Sequence, residues 1–340
     1  MHFVVTKGKI SFLLKWLIGL CLVWYLLMKI DISKVVRAFV GADLTWLLTG
    51  CIVIILIRIL MAWQLKMVVQ HQDVDLTIAR AFAINLITGF YGLILPGDMS
   101  AGIMRWHKLS KPSGKRAEVL AALVFLRLIN STVILLFGII ALLIDNPFDN
   151  AVVSLAAIAF LAGMIVIYSS IFSERVAVRI ERCFRDPFPG MAPFIWEKLR
   201  RVWSALAQYR VLSKSNLVKI TSVSLLNLFS SIALFLILAK ALHLTIPIIA
   251  LVWIRAMVLI IQLIPVSIAG LGIREGALVF ILPIYGISPP DAMAFSLLFF
   301  GLIIVIGLVG GILEANEVLI EPLRRPLAED GPEEKMNRKR

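Results

Sequence analysis

Charge is scarce in this chain, and acidic charge is scarcest: 16% of the 340 residues are charged, with 21 Asp and Glu against 34 Lys and Arg. So thin a polar coat, beside 60% hydrophobic residues, excludes an ordinary soluble domain and indicates an all-α polytopic membrane protein. Cysteine and histidine are also rare. Cys21, Cys51 and Cys183 show neither disulfide nor metal spacing, and His2, His71, His107 and His243 form no ligand cluster, so no metal or cofactor is expected. No phosphate-binding loop motif occurs, which excludes built-in ATP-driven pumping. The net charge of +13 does not point to nucleic acid, because Lys and Arg gather in connecting segments: ten in 173–219, five in 97–116, six after 313 and none in 145–150. That bias predicts an inner (cytoplasmic) membrane protein with both termini and the 173–219 loop in the cytosol. The 29–43 connection, assigned outside, carries three basic residues against this orientation.

What the chain does have is long apolar runs. Crossing the hydrocarbon as helix takes about 20 residues, and runs near that length occur at 12–30, 44–65, 117–144, 151–172, 220–239 and 292–313. The first follows Lys7, Lys9 and Lys15 as a signal peptide would. No small-residue cleavage site follows it, so it reads as a retained first span.

Two further apolar stretches, 78–95 and 247–282, are interrupted by LPGDMSAGIMR (95–105) and IPVSIAGLGIREGALV (264–279). In both, an arginine follows a proline by nine positions: Pro96 and Arg105, Pro265 and Arg274. If 78–95 crossed fully, the basic segment after it would lie outside. The parity is restored if 78–105 is a re-entrant hairpin turning at Pro96 and Gly97, and 247–287 a second one turning near Pro265, Gly270 and Gly272. Each half then holds two spans, a hairpin and one span, the second half inverted. From the start of the equivalent span to the motif proline is 52 positions in one half (44 to 96) and about 48 in the other (217 to 265). Inverted repeats with broken helices at their interface are a transporter architecture. Kinked full spans, about eight in all, remain the alternative to hairpins.

Broken backbone within a bilayer must line a polar cavity or be covered by protein. The breaks therefore nominate a site. Helix amino termini after each break favour anions, and Arg105 and Arg274 add guanidinium forks suited to phosphate; simple helix kinks with arginines reaching the headgroups are the plainer reading. Arg127, Asn130 and Ser131 share one helix face, as do Asn227, Ser230 and Ser231. Arg58, Arg127 and Arg255 are costly to bury and are candidate cavity residues, while Asn130 and Asn227 suit interhelical hydrogen bonding as well. Of the few interior carboxylates, Asp98 is a candidate partner of Arg105 and Glu275 of Arg274; Glu314 is the third. Residues 192–212 read as an interfacial amphipathic helix. The whole forms a single membrane domain over 1–321, with half-repeats at about 10–145 and 150–315, and a polar tail, 322–340, expected to be disordered.

The two motifs resemble those of the lysylphosphatidylglycerol synthase transmembrane region family, flippase-like integral membrane proteins. The second is the closer, through Pro265, Gly270, Gly272, Arg274, Glu275 and Gly276; the first matches at Pro96, Gly97, Gly102 and Arg105; Val266 departs from the glycine the pattern has after proline. The resemblance covers about residues 10–315. It implies movement of lipid between leaflets, the partners being membrane lipids. In aminoacylating members a soluble transferase domain follows the membrane region, and about 27 residues after the last run are too few for one. A non-enzymatic transporter of an anionic or aminoacylated phospholipid, or of a polyprenyl-phosphate-linked lipid, is therefore the leading expectation. The alternatives are an accessory subunit of a lipid- or glycan-modifying enzyme, and a membrane transferase, which would need paired carboxylates or metal ligands.

Overall fold

The computed structural model describes residues 31–95, 98–172, 212–263 and 272–324, together with Met28 and Tyr209. Every regular element among them is helical. They are α1 (Ile32–Val40), α2 (Leu44–Gln70), α3 (Ile78–Ile94), α4 (Asp98–Ser113), α5 (Arg116–Asp145), α6 (Ala151–Phe172), α7 (Lys214–Ala241), α8 (Ile248–Leu263), α9 (Ile273–Ile281) with a 3₁₀ turn at Leu282–Tyr285, and α10 (Pro289–Arg324). Four of them, α2, α5, α7 and α10 to Glu317, are long and apolar enough to cross a membrane, and α3, α8 and the first part of α6 are shorter apolar helices. The chain is a multi-pass membrane protein. The 12–30 run apart from Met28, the 192–212 segment apart from Tyr209 and Leu212, and Pro96, Gly97, Pro265 and Gly270 lie outside the described residues.

Capping sets the helix starts. The Asp43 carboxylate accepts from the Thr45 amide at 2.8 Å, Thr77 Oγ1 from the Arg80 amide at 3.2 Å, and Ser213 Oγ from the Asn216 amide at 3.3 Å. The short helix α1 was not legible as one. Asp31 caps it through the Ser33 amide and hydroxyl, which hold its carboxyl below the usual range, and Val35 is buried.

At the first break the chain reverses. Arg105 Nη2 donates to Thr88 Oγ1 at 3.3 Å, although 17 residues of continuous helix would hold them about 25 Å apart. So α3 and α4 are the two arms of a hairpin. A direct check follows: a Cβ on Gly92 would lie 3.4 Å from the Ala101 Cβ, near the separation a disulfide takes. Gly92→Cys with Ala101→Cys, the native cysteines replaced by serine, should cross-link under mild oxidation. A kinked continuous helix would hold the pair apart and leave both as free thiols, and intact mass would show no loss of two hydrogen atoms.

The halves are related by inversion. Asp43 N donates to Ala241 O at 2.9 Å while Gln64 near the other end of α2 reaches Ser224 near the start of α7, so these equivalent helices are antiparallel. Helix α5 starts beside Gln72 and Asp73, whose carbonyls accept from Lys115 Nζ, and ends at Asp145 beside Tyr285. Its counterpart α10 starts just after Tyr285 and carries Glu317 to Arg80 and Lys108, the opposite direction. One face of the bundle, the proximal face, thus holds Gln70, Arg116, Lys214 and Glu317; the distal face holds Leu44, Asp145, Ala241 and Pro289. The first hairpin enters from the proximal face and the second, α8 and α9, from the distal face.

The hairpins pack reciprocally, α3 on α10 of the other half and α8 on α5 of the first. Such exchange is what a two-fold relation demands. Both crossings depend on a glycine. A Cβ on Gly310 would lie 2.0 Å from the Leu86 carbonyl oxygen, and one on Gly138 would lie 2.1 Å from the Ala256 Cβ. Small residues at such points let helices meet without a hydrophobic drive to bring them together. Helix α10 also overruns the expected 292–313 span and continues to Arg324, beyond the expected boundary at 321/322. Its extra proximal turns are held by the ion pairs of Glu314 and Glu317.

Candidate functional site

Helices from both halves line a partly open cavity of about 600 Å³. On α2 its lining residues are Ile57, Met61, Gln64 and Leu65, one face of a helix; α5 contributes from Leu120 to Ile134, α7 from Ser224 to Ser231, α8 Arg255 and Leu259, and α4 Gly102 to Trp106. Leu120 is one turn from the proximal end of α5, and the 14 residues to Ile134 rise about 21 Å. The cavity therefore runs from near the proximal face into the middle of the bundle.

Three guanidinium groups line it: Arg105 from the first hairpin, Arg127 from α5 and Arg255 from the second hairpin. Every charged side chain among its described lining residues is an arginine. The helical period noted in the sequence is what places Arg127, Asn130 and Ser131 together there, with Asn227 and Ser231 on α7. Ser230 is not among them; its hydroxyl donates to the Leu226 carbonyl at 2.8 Å. The wall is otherwise mainly Leu, Ile, Val, Met and Trp, a surface that accepts an amphipathic molecule.

One polar tie fixes three of the walls. Gln64 is 1% exposed and exchanges hydrogen bonds with Asn130, Nε2 to Oδ1 at 3.2 Å and Oε1 from Nδ2 at 3.0 Å, while Nε2 also reaches Ser224 Oγ at 2.6 Å. Asn130 is thus partly committed to joining α2, α5 and α7. Sequence reading missed Gln64 and Ser224, although a lone glutamine in an apolar helix is the signal that finds such ties.

Arg274, at the same offset from its break as Arg105, has a different setting. It does not line this cavity, and it and Glu275 are both 0% exposed. Glu275 Oε1 accepts from Arg274 Nε at 3.1 Å and from Nη2, and its Oε2 accepts from the Gly272 amide at 2.6 Å. Ser296 Oγ on α10 donates to Glu275 Oε1 and accepts from Arg274 Nε, at 3.2 and 3.3 Å. The guanidinium lies over Phe299 and Phe300, 5.5 and 5.1 Å from the ring centres. Gly272 sits at φ 84°, which favours glycine there. Gly-x-Arg-Glu thus folds as a capped helix start clasped to α10.

Arg58 is also off the cavity; its neighbour Ile57 lines it, and its own Nε has no hydrogen-bond partner among the described residues. Asp98 opens α4, and its side chain lies outside the described residues. Glu314, flagged as an interior carboxylate, pairs with Lys108 and accepts from Tyr91 Oη at 2.8 Å; Glu317 pairs with Lys108 at 3.0 Å and with Arg80. At the distal face the Asp145 carboxylate accepts from Trp253 Nε1 at 2.8 Å and from Tyr285 Oη. In each case a carboxylate near the end of a long helix grips the hairpin of the other half. No group of three or more His, Cys, Asp or Glu residues among the described residues could hold a metal ion.

Neither the curated proteins nor the solved structures give a match to the chain. Residues 12–311 match the model of one family, described as the lysylphosphatidylglycerol synthase transmembrane region, and that span takes in both broken hairpins and all four long helices up to the last turns of α10. The chain belongs to the lysylphosphatidylglycerol synthase transmembrane region family.

Proposed function

We propose that this chain is a non-enzymatic lipid transporter that moves an anionic or aminoacylated phospholipid, or a polyprenyl-phosphate-linked lipid, between leaflets. The observation that carries the reading is that Arg105, Arg127 and Arg255, one from each hairpin and one from a long helix, line a single apolar-walled cavity. The family takes its name from the membrane region of a synthase of a membrane lipid, which supports a lipid-related role. Arginine is expensive within the hydrocarbon and marks substrate paths there. Its planar fork binds phosphate oxygens in pairs. The headgroup occupies the cavity while the chains stay in the bilayer, and rocking of the two hairpins exposes the arginines to each face in turn. Arg274 serves this reading indirectly, by holding the second hairpin's returning arm on α10.

Replacing Arg105 or Arg255 by lysine keeps the charge and removes the fork. Each variant should lose about tenfold or more in transport, the worth of one charge-assisted hydrogen bond, with the melting temperature little changed. The measurement is leaflet-resolved transfer of a fluorescent phospholipid by purified protein in liposomes. Normal rates in both variants would sink the headgroup site.

We place the proximal face in the cytosol of the inner membrane, because Arg80, Lys108, Lys111, Lys115, Arg116, Lys214 and Lys219 gather at that end. A cysteine at position 111 should resist an impermeant maleimide in intact cells and one at position 148 should react. The reverse pattern would invert the orientation.

A further inference from the structure

We propose that Asp145, Trp253 and Tyr285 form the gate at the distal end of the cavity, and that this structure is the state open towards the proximal face. The proposal rests on the transporter reading and adds where its alternating access is held shut. The cavity sits unevenly between the two faces. On α2 its lining stops at Leu65, five residues short of the proximal end at Gln70, and on α5 it begins at Leu120, four residues after Arg116, so about 8 and 6 Å of helix separate it from that face. In the other direction Ile57 is 13 residues from Leu44 and Ile134 is 11 residues from Asp145, about 20 and 16 Å. The distal stretch is filled by the crossing of α5 and α8.

Helix α8 enters from the distal face, so Trp253 stands between that face and Arg255 and Leu259, the two residues α8 gives to the cavity. On α5 the order is Asp145, then Gly138 against Ala256, then Ile134 at the cavity. Trp253 is 4% exposed, with Phe148 edge-on to its ring at 6.1 Å. The Asp145 carboxylate accepts from Trp253 Nε1 at 2.8 Å and from Tyr285 Oη. Trp253 belongs to the entering arm of the second hairpin and Tyr285 to the turn after its returning arm, so one carboxylate holds both arms on α5. The returning arm has a second attachment, the clasp of Arg274 and Glu275 on Ser296, and both charges there are fully buried. Asp145 is only half-buried, at the end of its helix, so water can take over its hydrogen bonds as the rings leave. The clasp is therefore the pivot and the Asp145 triad the latch. The first hairpin, by contrast, is held on α10 by two carboxylates and two cations. Once both donors leave Asp145, α8 can part from α5 at Gly138 and open a path from the distal face to Arg255.

The test uses full-length protein with the native cysteines replaced by serine and Ser231→Cys as the reporter in the cavity. An impermeant maleimide is applied to sealed membrane vesicles of either orientation, and cysteines at positions 111 and 148, each in a separate protein, define the proximal and distal sides. The reporter alone should react about tenfold faster from the proximal side; equal rates from both sides would overturn the assignment of this state. Asp145→Ala removes charge-assisted hydrogen bonds, each worth about tenfold in an equilibrium. Distal labelling should therefore rise about tenfold, without a matching rise from the proximal side, as expected when one of two states gains population. If that variant does not reach the membrane, Trp253→Phe with Tyr285→Phe, which keeps aromatic rings and removes both donors, should give the same shift. Unchanged distal labelling with the latch cut would reject the gate. An equal rise from both sides would reject it too, because that marks a structural tie whose loss loosens the whole bundle. The labelling involves no lipid transfer, so failure here leaves the transporter reading standing, whereas failure of that reading shows in the Arg105 and Arg255 variants.

Discussion

A single methyl group at position 310 is expected to displace the first hairpin from the bundle. In Gly310→Ala the new carbon would stand 2.0 Å from the Leu86 carbonyl oxygen, 2.4 Å from its carbon and 2.9 Å from the Ile87 nitrogen. All three are backbone atoms of α3, so no rotamer change relieves the overlap and the helices must part. Overpacking in a core typically costs about 1–3 kcal/mol, and a backbone-to-backbone clash belongs at or above the top of that range. Loss also propagates: α3 carries Arg80 and Tyr91 to Glu317 and Glu314, and Thr88 to Arg105. The thermal midpoint in detergent should therefore fall by several degrees and transport should fall with it. Gly301 on the same helix is the control, because a Cβ there meets nothing within 4 Å. Gly301→Ala should be neutral or slightly stabilising through helix propensity. Equal midpoints for the two variants would show that α3 and α10 do not cross at Gly310.

Gly138 makes the same crossing in the other half, against Ala256. This reciprocity was partly written in the sequence. Pro96 and Pro265, with arginines nine residues on and preceding spans of matched length, disclosed two repeats, and the charge bias required the hairpins that make them inverted. Sequence could also place Arg127, Asn130 and Ser131 on one face, because helical period is local information. Partners across the bundle were not legible. Lys108 and Glu314 stand 206 positions apart, Gln64 and Ser224 stand 160 apart, and only the packing of four helices brings them together. Helix α1 was missed for a different reason: nine residues with two basic groups, Lys34 and Arg37, in the 29–43 connection read as a loop, although Asp31 and Ser33 form a cap.

The two motif arginines show most clearly where spacing stops being informative. Arg105 and Arg274 share an offset, yet what each touches is chosen by another element: Thr88 and the cavity for Arg105, and Glu275, Ser296, Phe299 and Phe300 for Arg274. Their substitution should therefore have opposite signatures. Glu275→Ala strands a fully buried guanidinium and also removes the acceptor of the Gly272 amide. Breaking a buried pair by deleting one partner costs about 3–5 kcal/mol, so the variant should lose most of its folded yield, and Arg274→Ala should behave alike. Replacing both, as Arg274→Met with Glu275→Leu, removes the unpaired charge and should recover part of the stability, though the Gly272 amide stays uncapped. Arg105→Ala should do the reverse: it loses the hydrogen bond to Thr88, worth about 1 kcal/mol, and so lowers the thermal midpoint by only a few degrees, while abolishing most transport. Melting curves and transfer rates for the four proteins, measured in one detergent and one liposome preparation, separate the roles. If Glu275→Ala melts as the parent protein does and only its transport falls, the Arg274–Glu275 pair belongs to the substrate path and the clasp assignment is wrong.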